Sequence, residues 1–140
     1  MSQNPELSII RIYTKDVSFE SPSSPKIFME PFQPKIEVRV QVQHNEIQDD
    51  VHEVVLEFFA EAKNEKGEIA FICEVEQAGL FELKNFNDKD REHCVNVFCA
   101  SNLFPYVRQV IDQNLLHGGL PPLALAPINF ESIYANRNQN

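Results

Sequence analysis

The residues best suited to metal chemistry lie between positions 93 and 99. His93, Cys94 and Cys99 are residue types that bind zinc in proteins. Helical spacing turns the chain by about 100° per residue, so positions 94 and 99 lie roughly 500° apart and on different faces. We therefore predict buried or partly exposed thiols here, and we expect no bound metal.

The chain carries none of the common catalytic or phosphate-binding motifs. The Walker loop, GxGxxG, GxSxG and HExxH patterns are missing, and only 4 glycines could cradle a phosphate. His44, His52 and His117 are isolated in the sequence, and we expect them at the surface. Asp49 and Asp50 sit in a loop without convergent partners. These observations argue against an enzyme and against a bound cofactor.

Electrostatic docking is the chemistry that residues 11–20, RIYTKDVSFE, could provide. Many β-branched and aromatic residues, without Gly or Pro, predict a strand. Alternation assigns side chains to two faces. One face carries Arg11, Tyr13, Lys15, Val17 and Phe19, and the other carries Ile10, Ile12, Thr14, Asp16, Ser18 and Glu20. Such a strand can pack on one side and meet a partner on the other; an ordinary half-buried strand with solvated acids is the alternative.

The acidic residues are concentrated in the middle of the chain. Residues 46–92 hold 14 acids and 5 bases, so this third carries the whole formal charge of −9. Such a field repels nucleic acid and anionic membranes and attracts a basic partner. Solubility alone is the competing explanation.

Length and composition predict a single domain over residues 1–140, with flexible ends at 1–8 and 135–140. The 3 cysteines do not form a disulfide framework, and residues 1–5 show no basic leader. No apolar run approaches the roughly 18 residues that span a bilayer. We therefore expect a reduced, cytoplasmic protein that does not insert into membranes.

Residues 21–34, SPSSPKIFMEPFQP, contain four prolines and cannot form a paired strand. This segment must be a long crossover, which we call the crossover below. It carries apolar side chains at Ile27, Phe28, Met29 and Phe32. Either these cover part of the core, or they line a groove that binds apolar ligands.

Three further strands follow from alternation of apolar and polar residues. They cover residues 36–43, 53–63 and 69–77, the last ending before Ala78 and Gly79. The period then changes to 3.6 over 89–117, which predicts a long helix with Asp88 as N-cap and a bend or break at Pro105. A short last helix begins near Asn129. The predicted fold is α+β, with a Greek-key-like, four-stranded antiparallel sheet covered by the two helices.

One sheet and one long helix leave apolar surface uncovered in this prediction. Both faces of the long helix, the crossover and the apolar connector at 120–127 all need partners. A chain of this size cannot cover them alone, which argues for a homo-oligomer. Remaining area could bind an apolar ligand.

Three stretches, in this order and spacing, resemble the SecB family of protein-export chaperones. They are RIYTKDVSFE at 11–20, LFPY at 103–106 and LAPINF at 125–130. DVHEVVL at 50–56, AFICEV at 70–75 with Gln77, and the pair His93-Cys94 support them. The resemblance extends from about residue 9 to residue 134.

The resemblance implies a homotetramer, a dimer of dimers. The first strand would pair with its counterpart to form an eight-stranded sheet, and the long helices would lie between two such sheets. Cys73, Val75 and Gln77 match positions whose changes weaken the family's tetramer. All three fall on the inward face of their strand.

The resemblance also implies two binding activities. Asp16, Glu20, Ile72 and Glu74 match the positions at which the family docks on the export motor SecA. The family is an ATP-independent holdase that keeps preproteins unfolded and delivers them to this motor. We expect the client groove between the crossover and the last helix, with core packing as the competing account. Its predicted residues are Ile27, Phe28, Phe32, Phe130, Ile133 and Tyr134.

Two departures from the family pattern affect these expectations. The crossover has Phe32 where the family often has tryptophan, which should bind clients less extensively. The family's long polar C-terminal extension, a second contact to the motor, is here only ANRNQN at 135–140. The alternatives are a family member dedicated to one client, such as an antitoxin, or a carrier of small apolar ligands.

Overall fold

A four-stranded antiparallel sheet forms one layer of the protein. In the computed structural model, which describes residues 4–138, the strands are β1 (Glu6–Glu20), β2 (Lys35–Gln48), β3 (Val51–Lys63) and β4 (Ile69–Lys84). Their order is β1-β4-β3-β2, because the crossover brings β1 beside β4 and the other strands form hairpins. This topology confirms the predicted Greek-key-like α+β fold.

Alternation in β3 and β4 decides which face of the sheet is buried. Val54, Leu56 and Phe58 on β3 share a face with Val75 and Phe71 on β4, and all are buried. The helices cover this side, which we call the inner face. The opposite, outer face carries many acidic side chains. A period of two thus correctly predicts the core of these strands.

β4 is longer than predicted, since it continues through Ala78 and Gly79 to Lys84. A Cβ atom at Gly79 would lie 2.6 Å from the ring of Phe81 and 3.3 Å from the side chain of Leu103. Gly79 therefore makes room for a neighbouring ring and for the helix above the strand. The sequence prediction took this glycine for the end of the strand, which was wrong.

β1 is an edge strand with two bulges, and simple alternation fails along it. The pairing with β4 shifts between Ile9 and Arg11 and again between Thr14 and Asp16. Each bulge adds a residue without a partner and interrupts the alternation of faces. Tyr13 therefore lies opposite Ala78 on the outer face, although the sequence placed it with Val17 and Phe19. Ile12 and Thr14 lie on the inner face, opposite Gly79 and Gln77.

Both ends contain more regular structure than predicted. β1 begins at Glu6, and Glu6, Leu7 and Ser8 pair with residues of β4. The last helix continues to Asn138. Backbone hydrogen bonds therefore hold parts of 1–8 and of 135–140.

The long helix covers residues 88–117 in three continuous parts. They are α1 (Asp88–His93), a π-helical turn (Cys94–Cys99), called the π turn below, and α2 (Ala100–His117). The side chain of Asn87, not Asp88, caps the start by accepting a hydrogen bond of 2.8 Å from the N–H of Asp90. The prediction allowed a break at Pro105, but α2 runs through this proline without one.

A connector (residues 118–129) leads back along the helix to α3 (Phe130–Asn138). The N–H of Leu123 donates to Asp112 on α2 at 3.3 Å, and Leu120 is buried. α3 then rests on the π turn. The ring of Phe130 meets that of Phe104 on α2 edge-on, at 6.2 Å between centroids. The predicted start near Asn129 is confirmed.

Candidate functional site

The four predicted docking residues form one group on the outer face. Glu20 lies directly opposite Ile72, and Ser18 lies opposite Glu74 in the same register. Asp16, Glu20 and Glu74 are exposed, and Ile72 is half-buried between strands. The outward orientation predicted for all four is confirmed; the partner that they bind stays a prediction.

The same surface extends across two more strands and contains residues that the sequence analysis missed. Glu57 lies opposite Glu76, and Phe59 lies opposite Glu74. The guanidinium carbon of Arg39 on β2 is 4.0 Å from the centroid of the Phe59 ring. Alternation shows that these side chains share a face, but only the register between strands shows that they are neighbours.

A shallow cleft of about 550 Å³ lies in this surface. Four acids and one base line it, together with aromatic and aliphatic residues: Asp16, Glu57, Glu74, Glu76, Arg39, Gln41, Phe59, Val40, Phe58 and Val75. The excess of carboxylates suits a basic partner, and Phe59 offers it an apolar centre. We call the group Asp16, Glu20, Glu57, Ile72, Glu74 and Glu76 the acidic patch.

A hydrogen-bonded triad lies beside the acidic patch. Tyr13 donates a hydrogen bond to one carboxylate oxygen of Glu53, and Nζ of Lys15 donates to the other at 2.9 Å. These two bonds hold the pKa of the nearly buried Glu53 below its usual value. Burial and the neighbouring carboxylate raise the pKa of Tyr13 to about 12. The triad is therefore a charged tyrosine–carboxylate–lysine unit that ties β1 to β3.

The predicted client groove is divided between two ends of the inner face. At one end, α3 and β2 enclose a cavity of about 350 Å³. Its apolar lining comes from Phe130, Ile133 and Tyr134 with Val40 and Val42. Ile133 is exposed, whereas Phe130 is buried against Phe104 and contributes mainly to the core.

The crossover lies near the other end of α2, with its three predicted residues in different surroundings. Ile27, in a short 3₁₀ turn (Lys26–Met29), is buried in the core. Phe28 is exposed and lies near Gly119, so that a Cβ on this glycine would be 3.6 Å from its ring. Phe32 is also exposed. The six predicted residues thus do not line one cavity.

The inner face of β2 bears a strip of partly uncovered apolar residues. Val40 and Val42 are half-buried, and Ile36 and Val38 are 45% and 38% exposed. α2 packs on β4 and β3, so the edge strand β2 is not covered by this helix. Alternation of apolar and polar residues in β2 predicts one buried face, and the structure leaves that face partly uncovered. We call Ile36, Val38, Val40 and Val42 the β2 strip.

Cys73, Val75 and Gln77 lie on the inner face of β4, as predicted. Their exposed fractions are 0%, 1% and 3% within a single chain. Gln77 accepts a hydrogen bond of 2.8 Å from the hydroxyl of Thr14 on β1. They are therefore part of the protomer core, and any influence on assembly must pass through the packing of β1, β4 and α2.

The prediction that Cys94 and Cys99 lie on different faces was wrong. It assumed α-helical rotation, but the two residues begin and end the π turn, where the repeat is five residues rather than four. Both thiols are buried, and the pKa of each is shifted by the other. His93, the third zinc candidate, bonds Glu131 on α3 at 2.7 Å.

His44 is exposed, as predicted, but His52 is buried and the two histidines are not isolated. Nε2 of His44 lies 2.7 Å from Nδ1 of His52 across the β2–β3 hairpin, and only 2% of the His52 side chain is exposed. Burial is the main cause that lowers the pKa of both imidazoles. Only the strand register brings the two residues together.

Residues 4–138 contain neither a candidate metal cluster nor a candidate membrane-spanning helix. No group of three or more His, Cys, Asp or Glu side chains in this range is placed to hold a metal ion. None of the helices described there is long and apolar enough to cross a membrane.

Comparison with known proteins gives a consistent result over the whole chain. Residues 1–140 match the family described as SecB, preprotein translocase subunit SecB. A protein-export protein SecB of Chromohalobacter salexigens is 42% identical over 135 residues, covering 96% of this chain and 82% of that protein. The protein-export protein SecB of Ectopseudomonas mendocina is 41% identical, covering 99% of this chain and 85% of that protein.

A solved structure shares the fold at low sequence identity. It is the SecB-like chaperone Rv1957 of Mycobacterium tuberculosis, in complex with a ChAD peptide from the Rv1956 HigA1 antitoxin. The TM-score is 0.74 at 15% identity, over 88% of this chain and 91% of that chain. The likeness supports the sheet-and-helix architecture only.

An acidic sheet face and apolar strips on the opposite face are features of a protein that binds other polypeptides. The family match and the relatives name that class more closely. The chain belongs to the SecB family of protein-export chaperones.

Proposed function

We propose that this protein is a general, ATP-independent holdase and not an enzyme. It binds unfolded preproteins in the cytoplasm, keeps them competent for translocation and delivers them to the SecA motor. The observation that carries the proposal is the uncovered apolar area on the inner face, at the β2 strip and the α3 cavity. A folded monomer has no structural need for such area at these places.

Client binding follows from the size and spacing of the apolar sites. A buried apolar side chain contributes about 1.5–3 kcal/mol, so each site alone binds weakly. The β2 strip, Phe28 and Phe32 in the crossover, and Ile133 and Tyr134 on α3 offer several separate sites to an extended chain. Simultaneous occupation gives avidity without a defined client sequence.

Delivery to SecA rests on the acidic patch. Its carboxylates face outward, opposite to the client sites, so one protomer can engage a client and the motor at once. Excess negative charge steers a basic segment of the motor toward the acidic patch. Ile72 and Phe59 supply apolar contact area from which water is excluded. This arrangement predicts that motor binding weakens as salt is raised.

Assembly as a dimer of dimers is part of the proposal. β1 lies at the edge of the sheet, so the backbone groups along its unpaired edge can bond another strand. Ile10 and Val17 on β1 are exposed. α2 exposes Tyr106 and Leu116 on the side away from the sheet. Pairing of β1 with its counterpart and packing of α2 between two sheets would cover both surfaces.

The test combines two assays on the full-length protein. The wild type should suppress aggregation of several unrelated denatured proteins at stoichiometric amounts and should bind SecA. Failure with every client contradicts the holdase proposal, and protection of one client alone indicates a dedicated chaperone. Asp16→Ala with Glu74→Ala should weaken SecA binding and leave client protection unchanged.

Asp49→Ala with Glu65→Ala is the matched control. It removes the same charge from exposed turns between strands, outside the acidic patch. An equal loss of SecA binding in both double variants would show that net charge alone matters. If Asp16→Ala with Glu74→Ala weakens SecA binding and client binding equally, the proposal that the two partners bind opposite faces is contradicted.

A further inference from the structure

The π turn brings two cysteine residues to the same side of the helix. Cys94 and Cys99 are its first and last residues, and the hydrogen bonding of a π-helix joins residues five apart. Residue 99 therefore lies almost directly above residue 94, as residues four apart do in an α-helix. The two side chains are therefore on the same side of the turn, and the pKa of each cysteine is shifted by the other.

The two thiols differ in exposure and in reactivity. Cys94 retains 8% of its surface, whereas Cys99 is completely buried. Interaction with Cys99 lowers the pKa of Cys94, with burial opposing and His93 assisting this shift. The same interaction and burial raise the pKa of Cys99. Cys94 is thus the nucleophile of the pair.

We propose that Cys94 and Cys99 are an oxidative modification site, which a hydroperoxide converts reversibly into an intramolecular disulfide. The third thiol, Cys73, is buried on β4 beneath the helix and does not take part. The modification is a property of the folded π turn and does not depend on the function proposed above.

The reaction proceeds in two balanced steps. With hydrogen peroxide, the Cys94 thiolate attacks one oxygen, so that an S–O bond forms and the O–O bond breaks; hydroxide leaves and, with the Cys94 proton, becomes water. Cys99 sulfur then attacks the sulfenic sulfur of Cys94, the S–O bond breaks, and the Cys99 proton leaves with the hydroxide as a second water. The dithiol loses two electrons, and the hydroperoxide gains them.

The position of the pair connects its oxidation to α3. Nη1 of Arg137 on α3 donates to Oδ1 of Asn96 in the π turn at 3.3 Å, and Glu131 bonds His93 just before the turn. A covalent link between the two ends of the turn therefore lies under the helix that carries Ile133 and Tyr134. We expect oxidation to alter the stability of the packing of α3 on the π turn.

Peptide mapping of the full-length protein tests the proposal directly. Arg91 and Arg108 bracket both cysteines, so one tryptic peptide, 92–108, contains the pair, and peptide 67–84 contains Cys73. After hydrogen peroxide treatment and alkylation of the denatured protein, peptide 92–108 should lack two hydrogens and carry no alkyl group. Reduction with dithiothreitol before alkylation should restore two alkyl groups. Peptide 67–84 should be alkylated once throughout.

Two variants and two contrary outcomes complete the test. Cys99→Ala should accumulate a dimedone-reactive sulfenic acid on Cys94, and Cys73→Ala should still form the disulfide. If Cys99→Ala does not fold, the peptide mapping of the wild-type protein still tests the proposal. The proposal is overturned if peptide 92–108 remains fully alkylated under peroxide, or if it gains oxygen atoms on Cys94 without forming the internal disulfide.

Discussion

The hydroxyl of Tyr13 on β1 donates a hydrogen bond to the carboxylate of Glu53 on β3, although β4 lies between the two strands. Ala78 on β4 lies directly opposite Tyr13 and is small enough for the phenol ring to pass over it. The bulge at Lys15 places that ammonium group on the same carboxylate. Side chains thus join β1 to β3 across the outer face, in addition to the backbone pairing of each strand with β4.

Removing this hydroxyl should destabilise the protein. Tyr13→Phe leaves a nearly buried carboxylate with one donor fewer, and hydrogen bonds to charged groups contribute roughly 1.5–3 kcal/mol. We expect the free energy of unfolding to fall by about 2 kcal/mol in urea titrations at constant protein concentration. Tyr134→Phe, which removes the hydroxyl of a half-buried tyrosine on α3, is the control and should change it little. Equal stability of the two variants would contradict a structural role for the triad.

The paired histidines should make stability depend on pH. Burial lowers the pKa of His44 and His52 below the ordinary value of 6.5, so the folded state favours the neutral imidazoles. The stability that the neutral histidines contribute is fully present above pH 6.5. It is lost as the pH falls through their lowered pKa values. Repulsion between the two imidazolium charges and from Arg91 adds to this loss, while Glu46 and Asp50 oppose it.

Thermal unfolding between about pH 7 and pH 5 measures this dependence, since unperturbed carboxyl groups titrate mostly below that range. His44→Gln should flatten the curve because it removes one of the two charges. His117→Gln, at the exposed end of α2, is the matched control. An unchanged slope in His44→Gln would show that the pair does not govern stability in this range.

The α3 cavity should contribute measurably to client binding. Ile133 is 46% exposed and lines the cavity, whereas Ile47 is 57% exposed at the end of β2, outside that lining. Ile133→Ser removes apolar contact area worth about 1 kcal/mol, so the dissociation constant for an unfolded client should rise roughly fivefold. Fluorescence anisotropy with a labelled, permanently unfolded client measures it. Ile47→Ser should bind as the wild type does, and an equal loss in both variants would remove the cavity from the client site.

The exposed side of α2 offers a clean test of assembly. Val75 is buried within the protomer, so a charge there should unfold the chain rather than separate subunits. Leu116 is 73% exposed, and Leu116→Glu should leave the protomer folded. If α2 packs between two sheets, light scattering should show a lower mass for Leu116→Glu. Ile47→Glu, with a similar change on β2, should keep the mass of the wild type. An unchanged mass in Leu116→Glu would place α2 outside the interface.

Alternation of apolar and polar residues determined much of the fold. In β3 and β4 it identified the inner face correctly, because a regular strand sends every second side chain to the same side. It also placed Asp16, Glu20, Ile72 and Glu74 outward, and the long helix and α3 followed from the change of period. These features depend on neighbouring residues alone, so local sequence contains them.

Tertiary structure decided the remaining features. The bulges in β1 changed the face of Tyr13, since unpaired residues interrupt the alternation and the sequence does not mark where they fall. The π turn brought Cys94 and Cys99 together, because one extra residue per turn changes which side chains align. The pairing of β2 with β3 placed His44 beside His52, and α2 left the β2 strip uncovered by packing on β3 and β4. Each depends on how one segment is positioned against another, which only the folded chain specifies.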